Sequence, residues 1–556
     1  MRSFFFLLAG LVLILCACQS APIPADLILV GGRVLTLGEG IEPEQPSAIA
    51  IRDDRIFYVG EDEQALAFRD DDTRIIELDG ATVIPGFHDS HCHLYGLGKA
   101  LAEIDLMGTD SPAEVAARVT TGMTSHPGEG WLQGRGWDQN DWTVQEYPTR
   151  ALLDPVTGSR PCLLRRVDGH AALANSAALE AAGINSDTPD PEGGEILRDA
   201  DGQPTGLLID NAVDLVRAVI PQPSAEEVRH RVELAVQHCL AHGITAVTEA
   251  GVPWSRAQLY QEMAAAGELD LRVFGMYDDT EETLVPALAA GPVFTEDHLV
   301  TLRAIKLYAD GALGSRGALL HRDYCDHAGH RGLAVSSADH LRAQAQRAAQ
   351  AGFQVGTHAI GDRANTLVLD IYQEIMTAEK LEDPRWRIEH AQILTQADIP
   401  RFAELGVIAA MQPVHCTSDM DWAGDRLCED RLPGAYAWRS LLDSGAHVCW
   451  GTDFPVEKVS ALDGLYAART RTHHDGTPPG GWQAQEKVDA RTALELYTVA
   501  SAYAAFLEDE LGRIEVGYLA DLTVLDGDPV ACAPAALLDM KILQTIVQGR
   551  VVYTAP

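Results

Sequence analysis

The stretch that decides the fold of this chain is Pro85-Gly86-Phe87-His88-Asp89-Ser90-His91-Cys92-His93, which continues an apolar run that begins at Thr82. Side chains alternate across an extended strand, so His91 and His93 point to one side and Cys92 points to the other. Two imidazoles on one side can bind a single metal ion. The alternative is two polar residues in a loop, because a metal site needs at least three converging ligands.

Seven later segments have the same apolar, strand-like character, and helical patterns separate most of them. Ser224 and Glu227, for example, form a capping box that opens a helix, and Gly243 ends it before the next strand. The eight predicted strands are residues 82–87, 244–249, 271–276, 301–306, 354–358, 387–390, 407–412 and 447–452. This order predicts an α/β fold, a (β/α)8 TIM-like barrel. An open doubly wound sheet is the structural alternative.

Both ends of the chain consist of short β-branched runs that Gly and Asp turns separate. We therefore expect a composite β-sandwich from residues 26–81 and 508–553, with a predicted strand at 512–517. The barrel domain is predicted over 82–507. The gap between its first two strands is too long for a simple connection, so residues from about 96 to 223 form an inserted subdomain that we expect over the barrel mouth.

Four polar residues end or follow other predicted barrel strands. They are Lys306, His358, His390 and Asp453. Each interrupts an apolar run where a core residue would be expected and where an unpaired charge would be costly. Because functional groups of such barrels come from the carboxyl ends of the strands, we expect these side chains to meet His91 and His93.

Several segments of the sequence together resemble the amidohydrolase superfamily, in particular the branch that resembles the N-substituted formamide deformylases. Besides the histidine motif and the strand ends, they are Asp168-Gly169-His170, Met411-Gln412-Pro413-Val414-His415 and Gly517-Tyr518-Leu519-Ala520-Asp521-Leu522. The resemblance implies that His91, His93, His358, His390 and Asp453 are metal ligands. It also implies that Lys306 occupies the position where many relatives carry a carboxylated lysine bridging two ions. Pairing of Lys306 with Asp310 or with substrate is the alternative.

The resemblance implies a metal-dependent hydrolase that acts on a small molecule. Imidazole and carboxylate ligands suit zinc best among divalent ions, and one or two ions fit the pattern. Zinc lowers the pKa of water from about 15.7 to about 7, and Asp453 would serve as acid and base. We expect cleavage of a C–N bond in an amide, formamide or cyclic imide, but not of a peptide. An esterase and a lipid-anchored, non-catalytic binding protein are the alternatives.

Five further residues are candidates for substrate binding. They are Trp137, Asp138, His170, Arg316 and His415, of which the first three lie in the predicted insert. A structural hydrogen bond is the alternative for His170, and packing is the alternative for the tryptophan. His415 follows Gln412 by three positions at the end of the seventh predicted strand, which favours a place close to the metal.

The N-terminus has the pattern of an export signal. Arg2 precedes an apolar run at 4–15, and residues 15–18 resemble a bacterial lipoprotein processing box. Residues 1–18 are therefore predicted to be a signal peptide with Cys18 as the lipidated residue. The protein would then be anchored on the periplasmic side of the cell envelope, and cleavage near Ala21, giving a free periplasmic protein, is the alternative.

Charge and cysteine content restrict the partners. The formal net charge of -39 disfavours nucleic acid and anionic surfaces, so a membrane contact is expected through the lipid anchor only. A homo-oligomer is compatible with the sequence. Cys416 and Cys428 lie in one predicted loop, and a disulfide between them is an open alternative to two free thiols.

Overall fold

The computed structural model describes residues 23–38, 45–125, 130–167 and 170–556. The predicted signal peptide 1–18 and Cys18 lie outside these residues, as do Asp168 and Gly169. Within the described part of the chain, no helix combines the length and the apolar composition that a membrane crossing requires.

The N-terminal segment is built from short strands. Its elements are β1 (Leu27–Val30), β2 (Arg33–Val34), β3 (Ala48–Arg52), β4 (Arg55–Gly60), α1 (Asp62–Leu66), β5 (Arg74–Glu77) and β6 (Thr82–Pro85). The first barrel strand and the helix after it are β7 (Phe87–Cys92) and α2 (Leu94–Leu101).

The inserted segment folds around its own six-stranded mixed sheet, in the order β12-β13-β11-β10-β9-β8. Its elements are β8 (Ile104–Asp105), α3 (Pro112–Ser125), β9 (Leu132–Trp137), α4 (Asp154–Thr157), β10 (Cys162–Arg166), β11 (Ala171–Ala174), α5 (Ser176–Ala181), β12 (Gly194–Arg198), β13 (Pro204–Asp210) and α6 (Asn211–Arg217). Two apolar clusters of its own side chains pack on the sheet.

The remainder of the barrel alternates strands and helices. These elements are α7 (Ala225–Ala241), β14 (Ile244–Val252), α8 (Trp254–Ala265), β15 (Arg272–Tyr277), α9 (Glu281–Ala290), β16 (Val293–Phe294), β17 (Val300–Tyr308), α10 (Ala338–Gln350), β18 (Gln354–Ala359), α11 (Asp362–Glu379), β19 (Arg387–His390), α12 (Ile399–Leu405), β20 (Ile408–Met411), α13 (Pro413–Asp419), α14 (Ala423–Leu427), α15 (Trp438–Asp443), β21 (Val448–Trp450), α16 (Ala461–Thr470), α17 (Ala490–Leu496) and α18 (Val499–Ala504). The predicted capping box of Ser224 and Glu227 at the start of α7 is confirmed.

Eight parallel strands form the barrel, in the order β21-β20-β19-β18-β17-β15-β14-β7. The first and last strands do not share a regular ladder. Instead, the Asp453 backbone N–H donates to the His91 carbonyl (2.8 Å), and the Asp89 carboxylate accepts from the Thr452 hydroxyl (2.6 Å). Side-chain and loop hydrogen bonds therefore complete a near-closed parallel barrel, which confirms the predicted fold class.

The predicted first barrel strand is placed too early. Residues 82–85 belong to the sandwich, because β6 pairs with β2 and with a C-terminal strand. The change of sheet occurs at Gly86, whose N–H donates to the Asp521 carbonyl (2.9 Å), whereas the next N–H, of Phe87, donates to Gly243 in the barrel (3.2 Å). The barrel strand proper is β7, and the other seven predicted segments each overlap a barrel strand.

The C-terminus supplies β22 (Leu522–Leu525), β23 (Ile542–Val547) and β24 (Arg550–Thr554). They extend the sheet β2-β6-β22-β23-β24, which shares one apolar core with the sheet β4-β3-β1-β5. Both ends of the chain thus build the two facing sheets. No strand forms at the predicted position 512–517, where the segment is an irregular connection with Ile514 in the shared core.

Candidate metal centre

His91 lies near the end of β7, and its imidazole is held by a buried carboxylate. Nδ1 of His91 is hydrogen-bonded to Oε2 of Glu389 in β19. Because Arg387 donates to the same Glu389 oxygen (3.0 Å), the glutamate is an acceptor and the imidazole must carry its proton on Nδ1. Burial alone would raise the pKa of Glu389, but Arg387 and His91 hold it well below 4.5. Nε2 of His91 is therefore left with a free lone pair.

Two other imidazoles are held in the same way. Nδ1 of His93 lies 3.2 Å from the Ala250 carbonyl oxygen, and Nδ1 of His390 lies 2.8 Å from the side-chain oxygen of Gln412. A histidine that donates from Nδ1 to a protein acceptor presents the lone pair of Nε2, which is the usual arrangement of metal-binding histidines. The ends of two strands, β7 and β19, thus present three imidazoles that are oriented for coordination.

The buried imidazoles form one cluster. The ring centres of His358 and His390 are 4.5 Å apart, and those of His91 and His390 are 4.9 Å apart. Burial, with a contribution from Lys306, lowers the pKa of His91 to about 4 and that of His358 to about 3. Burial also lowers the pKa of His390 well below 6.5. These three rings are therefore neutral at pH 7, which is the form that binds a metal.

Asp453 follows β21 and faces this cluster. Its Oδ1 lies 3.2 Å from Nε2 of His93 and 3.7 Å from Nε2 of His91. Burial would raise the pKa of the carboxyl group, but the adjacent imidazoles of His93 and His91 hold it well below 3.8. The backbone φ is +62° at Asp453 and +74° at His390, a strained region for residues other than glycine. Such strain is characteristic of functional positions.

Lys306 lies inside the barrel, on β17, with no exposed surface. Its Nζ has no hydrogen-bond partner among the described residues, and burial lowers its pKa to about 8. The predicted alternative, a pair with Asp310, does not form. The Asp310 carboxylate instead accepts from the backbone N–H groups of Leu319 (2.7 Å) and Gly361 (2.8 Å).

His415 lies in the helix α13 that follows β20. Its Nε2 is 3.5 Å from Oδ2 of Asp453, and its ring stacks on that of His390 with centres 5.9 Å apart. The imidazole is thus placed beside the metal-centre residues.

The donor set fits a divalent cation. Two groups of three side chains could each hold an ion, and they share Asp453: one contains His91 and His93, and the other contains His390 and His415. Within the described part of the chain, four buried polar atoms of this region have no hydrogen-bond partner, namely Lys306 Nζ, His358 Nε2, His415 Nε2 and Asp453 Oδ1. Buried polar atoms without partners are costly, and a cation with its water would satisfy the nitrogen lone pairs and the carboxylate oxygen.

A cleft of about 420 Å³ opens over the cluster. Besides the metal-centre side chains and His415, its lining consists of Tyr308, Ala312, Leu313, Gly314, Ile360, Gln392, Asp419, Trp422, Val456 and Glu457. Among the described residues of the insert, none lines this cleft, although the insert was expected over the barrel mouth. The loops after the five barrel strands β17 to β21 line it instead.

Four predicted substrate residues lie elsewhere. Trp137 is buried in the core of the insert, where its indole N–H donates to the Leu164 carbonyl (2.9 Å). Asp138 accepts from Arg166 (2.8 Å), and exposed His170 contacts Asp210 (2.8 Å). Arg316, which follows the cleft-lining segment 312–314, pairs with Asp326 at 2.7 Å. Local hydrogen bonds and packing account for these side chains in the structure.

The disulfide between Cys416 and Cys428, which the sequence left as an open alternative, does not form. Cys428 is bonded to Cys325, 103 residues earlier, and Cys416 is a buried free thiol. Sequence proximity was misleading because α13 packs Cys416 into the barrel core while the loop after β17 reaches Cys428. The bond joins the two loops that carry Leu313 and Trp422 of the cleft.

The sequence analysis missed Glu389, Asp419 and Trp422. A signal existed for Glu389, since a carboxylate between Ile388 and His390 interrupts an apolar strand. No comparable signal marks Asp419, at the end of α13, or Trp422, just before α14, because neither residue directly follows an apolar strand.

Comparison with known proteins agrees with this geometry. Residues 74–553 match the model of the Amidohydrolase family. The putative amidohydrolase YtcJ of Bacillus subtilis (strain 168) is 34% identical over 536 residues, covering 94% of this chain and 98% of that protein. The N-substituted formamide deformylase of Arthrobacter pascens is 31% identical over 550 residues, covering 95% and 98%.

A solved structure supports the same relationship. An uncharacterized metal-dependent hydrolase from Pyrococcus furiosus matches with a TM-score of 0.74 and 30% identity, covering 91% of this chain and 99% of that one. The resemblance seen in the sequence is thereby confirmed, and the chain belongs to the Amidohydrolase family of metal-dependent hydrolases.

Proposed function

We propose that this protein hydrolyses a C–N bond of a small amide, formamide or cyclic imide, with a divalent metal ion as cofactor. The observation that carries the proposal is the orientation of His91, His93 and His390, whose Nδ1 atoms are engaged by protein acceptors while Nε2 remains available beside Asp453. A relative of this chain is named N-substituted formamide deformylase, which supports this type of bond as the target.

The residues that would hold the ion are His91, His93, His358, His390 and Asp453. Nitrogen and carboxylate donors of this kind favour zinc among common divalent ions. When bound, such an ion supplies Lewis-acid chemistry, which acidifies water and polarises a carbonyl oxygen. Carboxylation of the Lys306 amine by carbon dioxide would add an oxygen ligand for a second ion.

Asp453 is proposed to move the proton. Its carboxylate would accept a proton from the attacking water and deliver it to the leaving nitrogen, the two transfers that hydrolysis of an amide requires. His415, 3.5 Å from Oδ2 of Asp453, would orient this carboxylate or contact the substrate carbonyl. Glu389 fixes the ring of His91, so that the metal-facing nitrogen keeps its direction during turnover.

The direct test is a panel of N-formyl and N-acyl compounds, with matched esters, assayed with and without a chelator. We expect C–N hydrolysis that a chelator abolishes and that added Zn²⁺ restores. Turnover of the esters alone would favour an esterase. Metal binding without turnover of any compound would favour the non-catalytic binding protein, and hydrolysis that resists chelation would exclude the proposed mechanism.

We further propose that Cys18 is lipidated and anchors the protein on the periplasmic side of the cell envelope. The apolar run at 4–15 and the processing box at 15–18 support this location. Labelling of the expressed protein with a radioactive fatty acid tests the proposal. Label in the wild type and its loss in Cys18→Ala are expected, whereas an unlabelled wild type would favour cleavage near Ala21.

A further inference from the structure

The part of the cleft that is lined by residues other than the metal-centre side chains is called the outer cleft here, and three apolar side chains form its wall. Leu313 and Ile360 line it from the loops after β17 and β18, and the indole of Trp422 lines it from the loop after β20. The ring of Trp422 packs against Gly314, because a Cβ added at this glycine would lie only 3.1 Å from the ring. A flat, apolar substituent of a ligand would bury its surface against this wall.

Two carboxylates also line the cleft. Asp419 accepts hydrogen bonds from the Gln392 amide (3.0 Å) and from the hydroxyl of Tyr436. Burial raises the pKa of Asp419 from 3.8, and the hydrogen bond from Tyr436 opposes this rise. Glu457 accepts from the Ser418 hydroxyl (2.6 Å). Among the described residues, neither carboxylate forms an ion pair with a lysine or arginine.

Two arginines of the loops around the cleft form ion pairs outside it. Among the described residues that line the cleft, Lys306 is the one lysine or arginine, and it lies buried at the metal centre. Arg316 and Arg426 belong to the same loops, but both pair with Asp326 and neither lines the cleft. Away from the metal centre, an anionic group in the cleft would therefore face two carboxylates and no lysine or arginine of the cleft lining.

We propose that the outer cleft selects substrates with a flat apolar group that is uncharged or positively charged, and that it rejects carboxylates such as N-acyl amino acids. The selectivity follows from the wall of Leu313, Ile360 and Trp422 together with Asp419 and Glu457. The inference rests on the proposed function, because it assigns this cleft to the substrate. It adds the charge and shape of the substrate group that extends from the metal centre into the outer cleft.

Binding, rather than turnover, tests the proposal. Three phenylureas keep the planar N–C=O group of an amide and resist hydrolysis; they differ only in a para hydrogen, carboxylate or trimethylammonium group. Their affinities are measured by isothermal titration calorimetry with the Zn²⁺-loaded full chain. We expect the trimethylammonium compound to bind at least about tenfold more tightly than the carboxylate. The uncharged compound should lie between them.

The double variant Asp419→Asn and Glu457→Gln should reduce this preference to less than about threefold. A matched control, Asp425→Asn with Glu429→Gln, removes two exposed carboxylates of the same loop that do not line the cleft, and it should keep the wild-type preference. The proposal is overturned by equal binding of all three compounds, by absence of binding, or by an equal effect of both double variants. Failure of the proposed function appears separately, as absent or chelator-resistant hydrolysis.

Discussion

Glu389 and His91 are 298 residues apart in the chain, and their side chains are joined by a buried hydrogen bond between a carboxylate oxygen and Nδ1. Arg387 keeps the carboxylate ionised, so the proton of the imidazole is placed on Nδ1 and the lone pair on Nε2. The barrel therefore determines which nitrogen of His91 can bind a metal before any metal is present.

The variant Glu389→Gln should weaken metal binding by about 10- to 100-fold, because an amide holds the ring of His91 less firmly than a carboxylate does. Competition with a chromogenic zinc chelator measures the affinity, and circular dichroism shows whether the variant is folded. Glu404→Gln, an exposed glutamate in α12, is the matched control and should bind zinc as the wild type does. Unchanged zinc affinity in folded Glu389→Gln would contradict the positioning role.

Asp453→Asn should lower kcat by about 10² to 10⁴-fold, because an amide cannot accept and deliver the proton. Metal content, measured in parallel, separates loss of proton transfer from loss of the ion. Asp425→Asn is the control for removing a carboxylate of the same charge. A variant that contains zinc and retains wild-type kcat would exclude Asp453 as the acid and base.

Zinc affinity should depend weakly on pH between 7 and 5. The pKa values of His91 and His358 are lowered to about 4 and about 3, and that of His390 is also lowered, so protons compete with the ion at these three rings only at more acidic pH. If three imidazole ligands had the ordinary pKa of about 6.5, the zinc affinity of the site would fall about 10⁴-fold from pH 7 to pH 5. We expect a loss below about 100-fold in chelator competition. A loss near 10⁴-fold would show that the imidazoles are not desolvated.

Removing the bond between Cys325 and Cys428 with serines should lower the free energy of unfolding by about 2–4 kcal/mol. The bond closes a loop of 103 residues, and its loss increases the conformational entropy of the unfolded chain. Urea denaturation measures the change, with Cys532→Ser, a free and partly buried thiol, as the control. The variant should also bind the uncharged phenylurea less tightly, because the Trp422 loop is released. An unchanged unfolding midpoint would mean that ion pairs alone hold the two loops.

Much of the fold was predictable because its signals are local. Seven barrel strands are continuous apolar runs, and a polar residue at the end of such a run identified Lys306, His358 and His390. The first strand was displaced because the apolar run from Thr82 continues through Gly86, where the chain passes from one sheet to another. That change depends on hydrogen bonds to Asp521 and Gly243, which lie far away in sequence.

The contacts around the metal centre were harder to predict from the sequence. Strict alternation would place Glu389 and His390 on opposite sides of β19, but the positive φ of His390 ends the extended geometry there. Both side chains can then contribute to one site. The cleft lining was also not predicted, because Trp422 and Asp419 lie in the segment between β20 and β21, and the sequence did not reveal that this segment is bonded to Cys325.

The most direct test of the metal centre is a crystal of the Zn²⁺-soaked protein, measured with X-rays on both sides of the zinc absorption edge. We predict an anomalous peak about 2.0–2.1 Å from Nε2 of His91 and of His93, with an Asp453 oxygen at about 2.0–2.2 Å. Absence of a peak between these three side chains, at saturating zinc, would contradict the account.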